Sequence, residues 1–125
     1  MNTRITLAAL AFIPGITFAE NATGIWNAEF DTQIGKQKYS YTLKQEGDKL
    51  TGKATAEVRG QTREVELNEG KVEGDKVSFV EIFRFQDMDI RITYTGTVTS
   101  ADEIKFTRQV ADIATEELVA KRVKQ

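Results

Sequence analysis

The chain has no cysteine and no histidine among its 125 residues. Without cysteine there is no disulfide staple, no thiol nucleophile and no lipid-modified cysteine anchor. Without histidine there is no histidine-ligated haem or zinc, and the commonest general base is missing. Basic runs are also scarce. Only Lys121-Arg122-Val123-Lys124 clusters positive charge, and the formal net charge is −2, so the electrostatic footprint of a nucleic-acid binder is lacking. No glycine-rich phosphate loop, metal-ligand run or amphipathic membrane helix occurs. The three serines, Ser40, Ser78 and Ser100, have no base nearby in the pattern. These absences predict a protein without a cofactor, a metal or a nucleic-acid partner. The one proline, Pro14, lies in the N-terminal segment, and Met88 is the only methionine after that segment.

That segment reads as a targeting signal. Met1-Asn2-Thr3-Arg4 carries one positive charge. Ile5 to Ile16 is apolar apart from Pro14 and Gly15. Thr17-Phe18-Ala19 then sets small residues at −3 and −1 before Glu20. This order is the signature of a cleavable secretory signal peptide. The apolar run is too short to span a bilayer comfortably. Residues 1–19 are therefore predicted to be a signal peptide cut after Ala19, and residues 20–125 a single domain. The product is expected in the periplasm or secreted, with no membrane anchor. Its 106 residues suffice for one core without disulfides, and removing Arg4 leaves a net charge of −3.

Past Glu20, apolar and polar residues alternate with the period of a half-buried strand. Trp26, Ala28 and Phe30 share one face, as do Tyr39, Tyr41 and Leu43. Leu50, Gly52, Ala54 and Ala56 follow, then Arg63, Val65 and Leu67. Val77, Phe79, Glu81, Phe83 and Phe85 form the next row. Ile90, Ile92, Tyr94, Gly96 and Val98 form another. Ile104, Phe106, Arg108 and Val110 make the seventh, and Leu118, Ala120 and Arg122 the eighth. The intervening positions are mostly Thr, Lys, Glu, Asn and Ser, and the Thr and aromatic enrichment favours strand.

Gly47-Asp48, Gly74-Asp75 and Ala101-Asp102 recur 27 residues apart. Glycine accepts positive φ and aspartate bonds nearby amides, so these are tight-turn signals. The spacing divides the domain into four hairpins: 20–46, 47–73, 74–100 and 101–125. Sequential hairpins without crossovers predict an all-β, eight-stranded antiparallel up-and-down barrel, whose closure removes both sheet edges. An open sandwich is the alternative. The three Gly/Ala-Asp turns fall at one end, the floor. Gln33–Lys36, Arg59–Gln61, Gln86–Asp87 and a longer Ala111–Glu116 connection fall at the other, the mouth. A helical turn fits only within Ala111–Glu117.

Gly24-Ile25-Trp26 opens the first strand, and Arg122 points inward near the floor end of the last. Closure makes those strands neighbours, so the guanidinium is expected to stack on the indole. A G-x-W on the first strand meeting an arginine from the barrel's end resembles the calycin superfamily of lipocalins and avidins. The running pattern GIW, GDKLTG, GDKVSF, ITYTG, EIKFTR and AKRV is also similar to a set of small exported bacterial domains. The resemblance implies a barrel, with Gly24, Trp26 and Arg122 as its structural floor.

Arg63, Glu81 and Arg108 fall on the inward parity, where charges are uncommon and must be paired or wet. Tyr39 and Tyr41 add hydroxyls in the upper half. An eight-stranded barrel is filled by side chains or holds one small ligand. Two readings follow. One is an upper-lumen site of Tyr39, Tyr41, Arg63, Glu81 and Arg108 with a cationic bias, suited to a small anionic or polyhydroxylated ligand. The other is an internal Arg–Glu–Arg cluster that fills the lumen. Two further functional alternatives remain. One is an interaction module or inhibitor, monomeric or homodimeric. It would use the mouth loops or outward apolar residues, with Ile25, Val119 and Val123 adjacent and Val80 and Ile82 elsewhere. The other is a carbohydrate-active enzyme or accessory domain with Glu81 as acid or base, which needs a second carboxylate.

Overall fold

The computed structural model describes residues 22–124; the predicted signal peptide lies outside the described residues. Eight strands follow in chain order. They are β1 (Gly24–Thr32), β2 (Gly35–Glu46), β3 (Lys49–Val58), β4 (Gln61–Glu73), β5 (Lys76–Phe85), β6 (Met88–Ser100), β7 (Glu103–Val110) and β8 (Ala114–Arg122). Each pairs antiparallel with its sequence neighbours, and β8 returns to β1 to close the barrel. The alternating pattern accounts for this directly: one face of every strand is apolar and must be buried, and closure buries all eight against one another.

The floor turns act alike. The carbonyl of Asp48 accepts from Val72 N at 2.9 Å, that of Asp75 from Val98 N at 2.8 Å, and that of Asp102 from Arg122 N at 2.9 Å. Each floor turn is thereby tied to the end of the following hairpin. The closing seam is the shortest ladder. β1 and β8 share two register pairs, Trp26–Arg122 and Asn27–Lys121, and Val123 N adds a bond to Ile25 O at 2.7 Å.

The structure departs from the sequence pattern in several places. The β4 register shifts between Asn68 and Lys71. There Glu69 takes φ 55°, and a Cβ on Gly70 would lie 1.9 Å from the Leu50 carbonyl oxygen. This bulge flips the inward parity from Leu67 to Val72. The last mouth connection is shorter than expected. Ile113 N bonds Val110 O at 2.9 Å in a tight turn and β8 begins at Ala114, so no helical turn forms and Glu116 belongs to a strand. Val80, of outward parity, is buried. The exposed Glu69–Arg91 ion pair, 2.7 Å, spans from β4 to β6 across the outer face of β5 that carries it.

The lower lumen is filled. Tyr41, Phe79, Tyr94 and Phe106 interlock there, with Phe79 and Tyr94 stacked at 4.6 Å and Phe106 edge-on to both at 5.4 and 5.7 Å. Beneath them Trp26 stacks on the Arg122 guanidinium, whose central carbon is 4.3 Å from the ring centroid, and its Nε1 donates to Ala22 O at 2.9 Å.

Candidate functional site

Above the aromatic layer sits a polar one, centred on Glu81. Its side chain is 0 % exposed, yet β5 parity turns it inward. Tyr39 Oη donates to Oε2 at 2.8 Å, Tyr94 Oη donates to Oε1 at 3.0 Å, and Arg63 Nη2 donates to Oε2 at 3.0 Å. Every partner is a donor, the environment that suits a carboxylate.

Two of the tyrosine hydroxyls, those of Tyr39 and Tyr94, are saturated. Tyr39 Oη gives its proton to Glu81 and accepts from Arg63 Nη2 at 2.9 Å and Arg108 Nη2 at 3.0 Å. Tyr94 Oη gives its proton to Glu81 and accepts from Tyr41 Oη at 2.9 Å and Arg108 Nε at 2.9 Å. One donation and two acceptances exhaust a phenol. Burial pushes the Tyr41 and Tyr94 hydroxyls well above their usual pKa, and raises Tyr39 with help from Glu81. Burial opposes the Arg108 charge, but Tyr94, Tyr39 and Glu81 outweigh it and its pKa rises.

The charges balance. Arg108 Nη1 donates to Glu116 Oε1 at 2.5 Å, and Glu116 is mostly buried. Two arginines face two carboxylates, so the cationic bias predicted for the upper lumen is not found. The sequence pattern omits Glu116 because it places that residue in a loop. Glu116 is a second lumen carboxylate, but the Arg108 guanidinium bonds it and lies 3.9 Å from Glu81 Oε1. Glu81 is thus sealed with both oxygens accepting from donors, and Glu116 Oε1 is held by Arg108.

A cup of about 180 Å³ opens over this layer at the mouth. Ile34, Phe83, Ile90, Val110 and Ile113 supply apolar wall, and Gln37, Arg63, Arg108 and Glu116 supply the polar part. Arg63 lies over the Phe83 ring, 4.0 Å from its centroid. Gln37 is 5 % exposed. Its Nε2 donates to Thr32 Oγ1 at 3.0 Å, whose own proton goes to Gly35 O at 2.9 Å. The amide orientation follows from that. Gln37 Oε1 and Arg63 Nε are buried with no partner among the described residues.

Of the five residues singled out from the sequence, Arg63 and Arg108 line the cup. Tyr39, Tyr41 and Glu81 lie below it as its buried support. Tyr94, Gln37 and Glu116 were not singled out, although Gln37 and Tyr94 share the inward parity of named neighbours. Gly24, Trp26 and Arg122 meet at the floor, where Arg122 Nη1 donates to Thr23 O at 2.7 Å and Nε to Ala101 O at 2.9 Å. The chain matches no protein-family model and no curated protein sequence.

Proposed function

We propose that this chain is an exported, calycin-like binding protein that holds a small molecule at the barrel mouth, without catalysis. The observation that carries the reading is the mouth cup, apolar in its walls and built on a charge-balanced floor with two unpartnered polar atoms. An unmet buried hydrogen-bonding group costs about 1–3 kcal/mol. A ligand hydroxyl both donates and accepts, so it can serve Gln37 Oε1 or Arg63 Nε, whichever side chain rotates toward the cup. A carboxylate only accepts. The volume resembles that of a benzene-sized cavity, about 150 Å³, so the bound group is compact. These features favour a neutral molecule with a short apolar body and one hydroxyl or amide over the anion or polyol expected from the inward charges alone.

Titration with 1-hexanol, hexanoate and glucose, read by methyl NMR shifts of Ile90, Val110 and Ile113, tests this. Hexanol is expected to shift these methyls at the lowest concentration, hexanoate at a higher one, and glucose not at all. Arg63→Ala and Arg108→Ala are expected to weaken the hexanol response. If no probe moves these methyls, the mouth is not the site. Native mass spectrometry of protein from its own host then shows whether a natural ligand is retained.

A further inference from the structure

We infer that the mouth is also a self-association surface, on which a second copy of this chain seats mouth to mouth about a two-fold axis. Four large apolar side chains are exposed there: Ile34 at 51 %, Phe85 at 50 %, Met88 at 63 % and Ile113 at 63 %. Phe85 and Met88 share the inward parity of Phe83 and Ile90 and pair with each other across β5 and β6. Phe85 also stacks on Phe83 at 6.0 Å. They extend the cup wall upward as a ledge. A compact ligand in the cup leaves this ledge bare.

The charge on the four mouth turns identifies what covers it. The β1–β2 turn, Gln33-Ile34, has none. The β3–β4 turn carries Arg59, the β5–β6 turn Asp87, and the β7–β8 turn Asp112. Counting the turn residues alone, one half of the mouth carries one positive charge and the other half two negative charges. Just below, Asp31 opposes Lys36 and Arg84 opposes Asp89 across their ladders, which leaves Glu57 as the remaining charge at that level.

A two-fold axis in the plane of the mouth can set the four turns against those of a second copy in four ways. One places Arg59 on Arg59 and Asp112 on Asp112. A second places Asp87 on Asp87. A third places Asp87 on Asp112. Only the fourth sets no like-charged turn residues against each other, with its axis running from the β4–β5 side to the β1–β8 seam. It lays Arg59 of each copy over Asp87 of the other, and Ile34 of each over Ile113 of the other. Opposite charges then meet twice, and every exposed apolar side chain of the mouth faces the second copy. Such an interface is isologous by construction. Two cups facing each other double the enclosed volume, which brings it past the roughly 300 Å³ at which ordinary ligand pockets begin. The pairing rests on the turn residues and does not depend on any ligand.

The end of one barrel is a small face, so this interface belongs at the low end of the size scale, where roughly 1,000 Å² in total is the lower bound. Association is therefore reversible and read over a concentration series. Sedimentation of the purified protein at low salt, from micromolar to millimolar, is expected to show a monomer–dimer equilibrium. Arg59→Glu and Asp87→Lys are each expected to weaken it about tenfold. The R59E/D87K double variant restores it, because the two reversed charges then face each other across the interface with opposite sign. Ile113→Ser, at an exposed turn position, is expected to weaken it without changing the far-ultraviolet spectrum. A wild type that stays monomeric at millimolar concentration overturns the inference. So does a dimer indifferent to either charge reversal, which would place the contact on another face.

Discussion

Arg108 Nη1 and Glu116 Oε1 lie 2.5 Å apart on register partners of β7 and β8. This one pair determines the sign of the upper lumen. Without it, two arginines would confront Glu81 alone. Glu116→Gln therefore leaves one uncompensated guanidinium at the cup. The variant is expected to gain affinity for hexanoate relative to hexanol, reversing the wild-type order in the NMR titration. It is also expected to lose about 2 kcal/mol of stability by urea denaturation, below the range for a fully buried broken pair, because Glu116 keeps some contact with water.

Glu81 lies deeper and organises more. Its loss strands Arg63, Arg108 and two tyrosine protons at once. Glu81→Ala is expected to cost about 3–5 kcal/mol, the range for a buried charge deprived of its partner. Arg63→Met should cost less, about 1 kcal/mol, since the Arg63 side chain is 32 % exposed and its methylene stem is largely kept. Urea midpoints at neutral pH compare the two. The reverse ranking would mean that Arg63, not Glu81, centres the network.

Much of this architecture is legible in the sequence because its signals are local. Gly47-Asp48 and its two counterparts mark turns through backbone freedom, and strict alternation between them sets the faces. The β4 bulge escapes that reading because parity counting assumes constant register. Gly70 is the available signal, since a glycine inside a strand often marks a bulge or a close backbone approach. Glu116 escapes because the mouth connection before it has no turn signal as sharp as Gly-Asp, although its spacing from Leu118 and Ala120 matches inward parity. Inward charge can be seen at Arg63, Glu81 and Arg108. The balance among them cannot, because it depends on which strands face each other across the lumen.

The three tyrosines of the chain all belong to this network, which makes their titration a clean probe. Burial raises all three pKa values. The unfolded chain ionises its tyrosines near pH 10, while the folded chain still holds the protons. Stability is thus unaffected below about pH 9 and falls as pH rises past 10, by up to about 1.4 kcal/mol per tyrosine per pH unit. Absorbance at the phenolate band is expected to stay flat through pH 10 and then rise together with loss of the near-ultraviolet dichroism. A tyrosine that titrates near pH 10 in the folded protein would show that its hydroxyl is not sealed.

At the floor, Gly24 and Arg122 are coupled through space the backbone leaves free. Gly24 takes φ +144°, and a Cβ there would lie 2.8 Å from Arg122 Nη1. That nitrogen holds Thr23 O, and its guanidinium covers Trp26, the only tryptophan of the chain. Gly24→Ala must therefore displace the guanidinium from the indole as well as strain the backbone. We expect a loss of about 1–3 kcal/mol and a changed Trp26 emission. Arg122→Met should alter the same emission by removing the cation outright. Once the guanidinium is gone the added methyl has less to displace, so the double variant should lose less stability than the two single losses added. Gly60→Ala is the control. Its φ is also positive, at +77°, but its Cβ meets nothing within 4 Å. It is expected to lower stability by backbone strain alone and leave Trp26 emission untouched. Additive losses for Gly24→Ala and Arg122→Met would mean that the glycine serves the backbone only, and that the G-x-W pattern owes nothing to the arginine stacked on it.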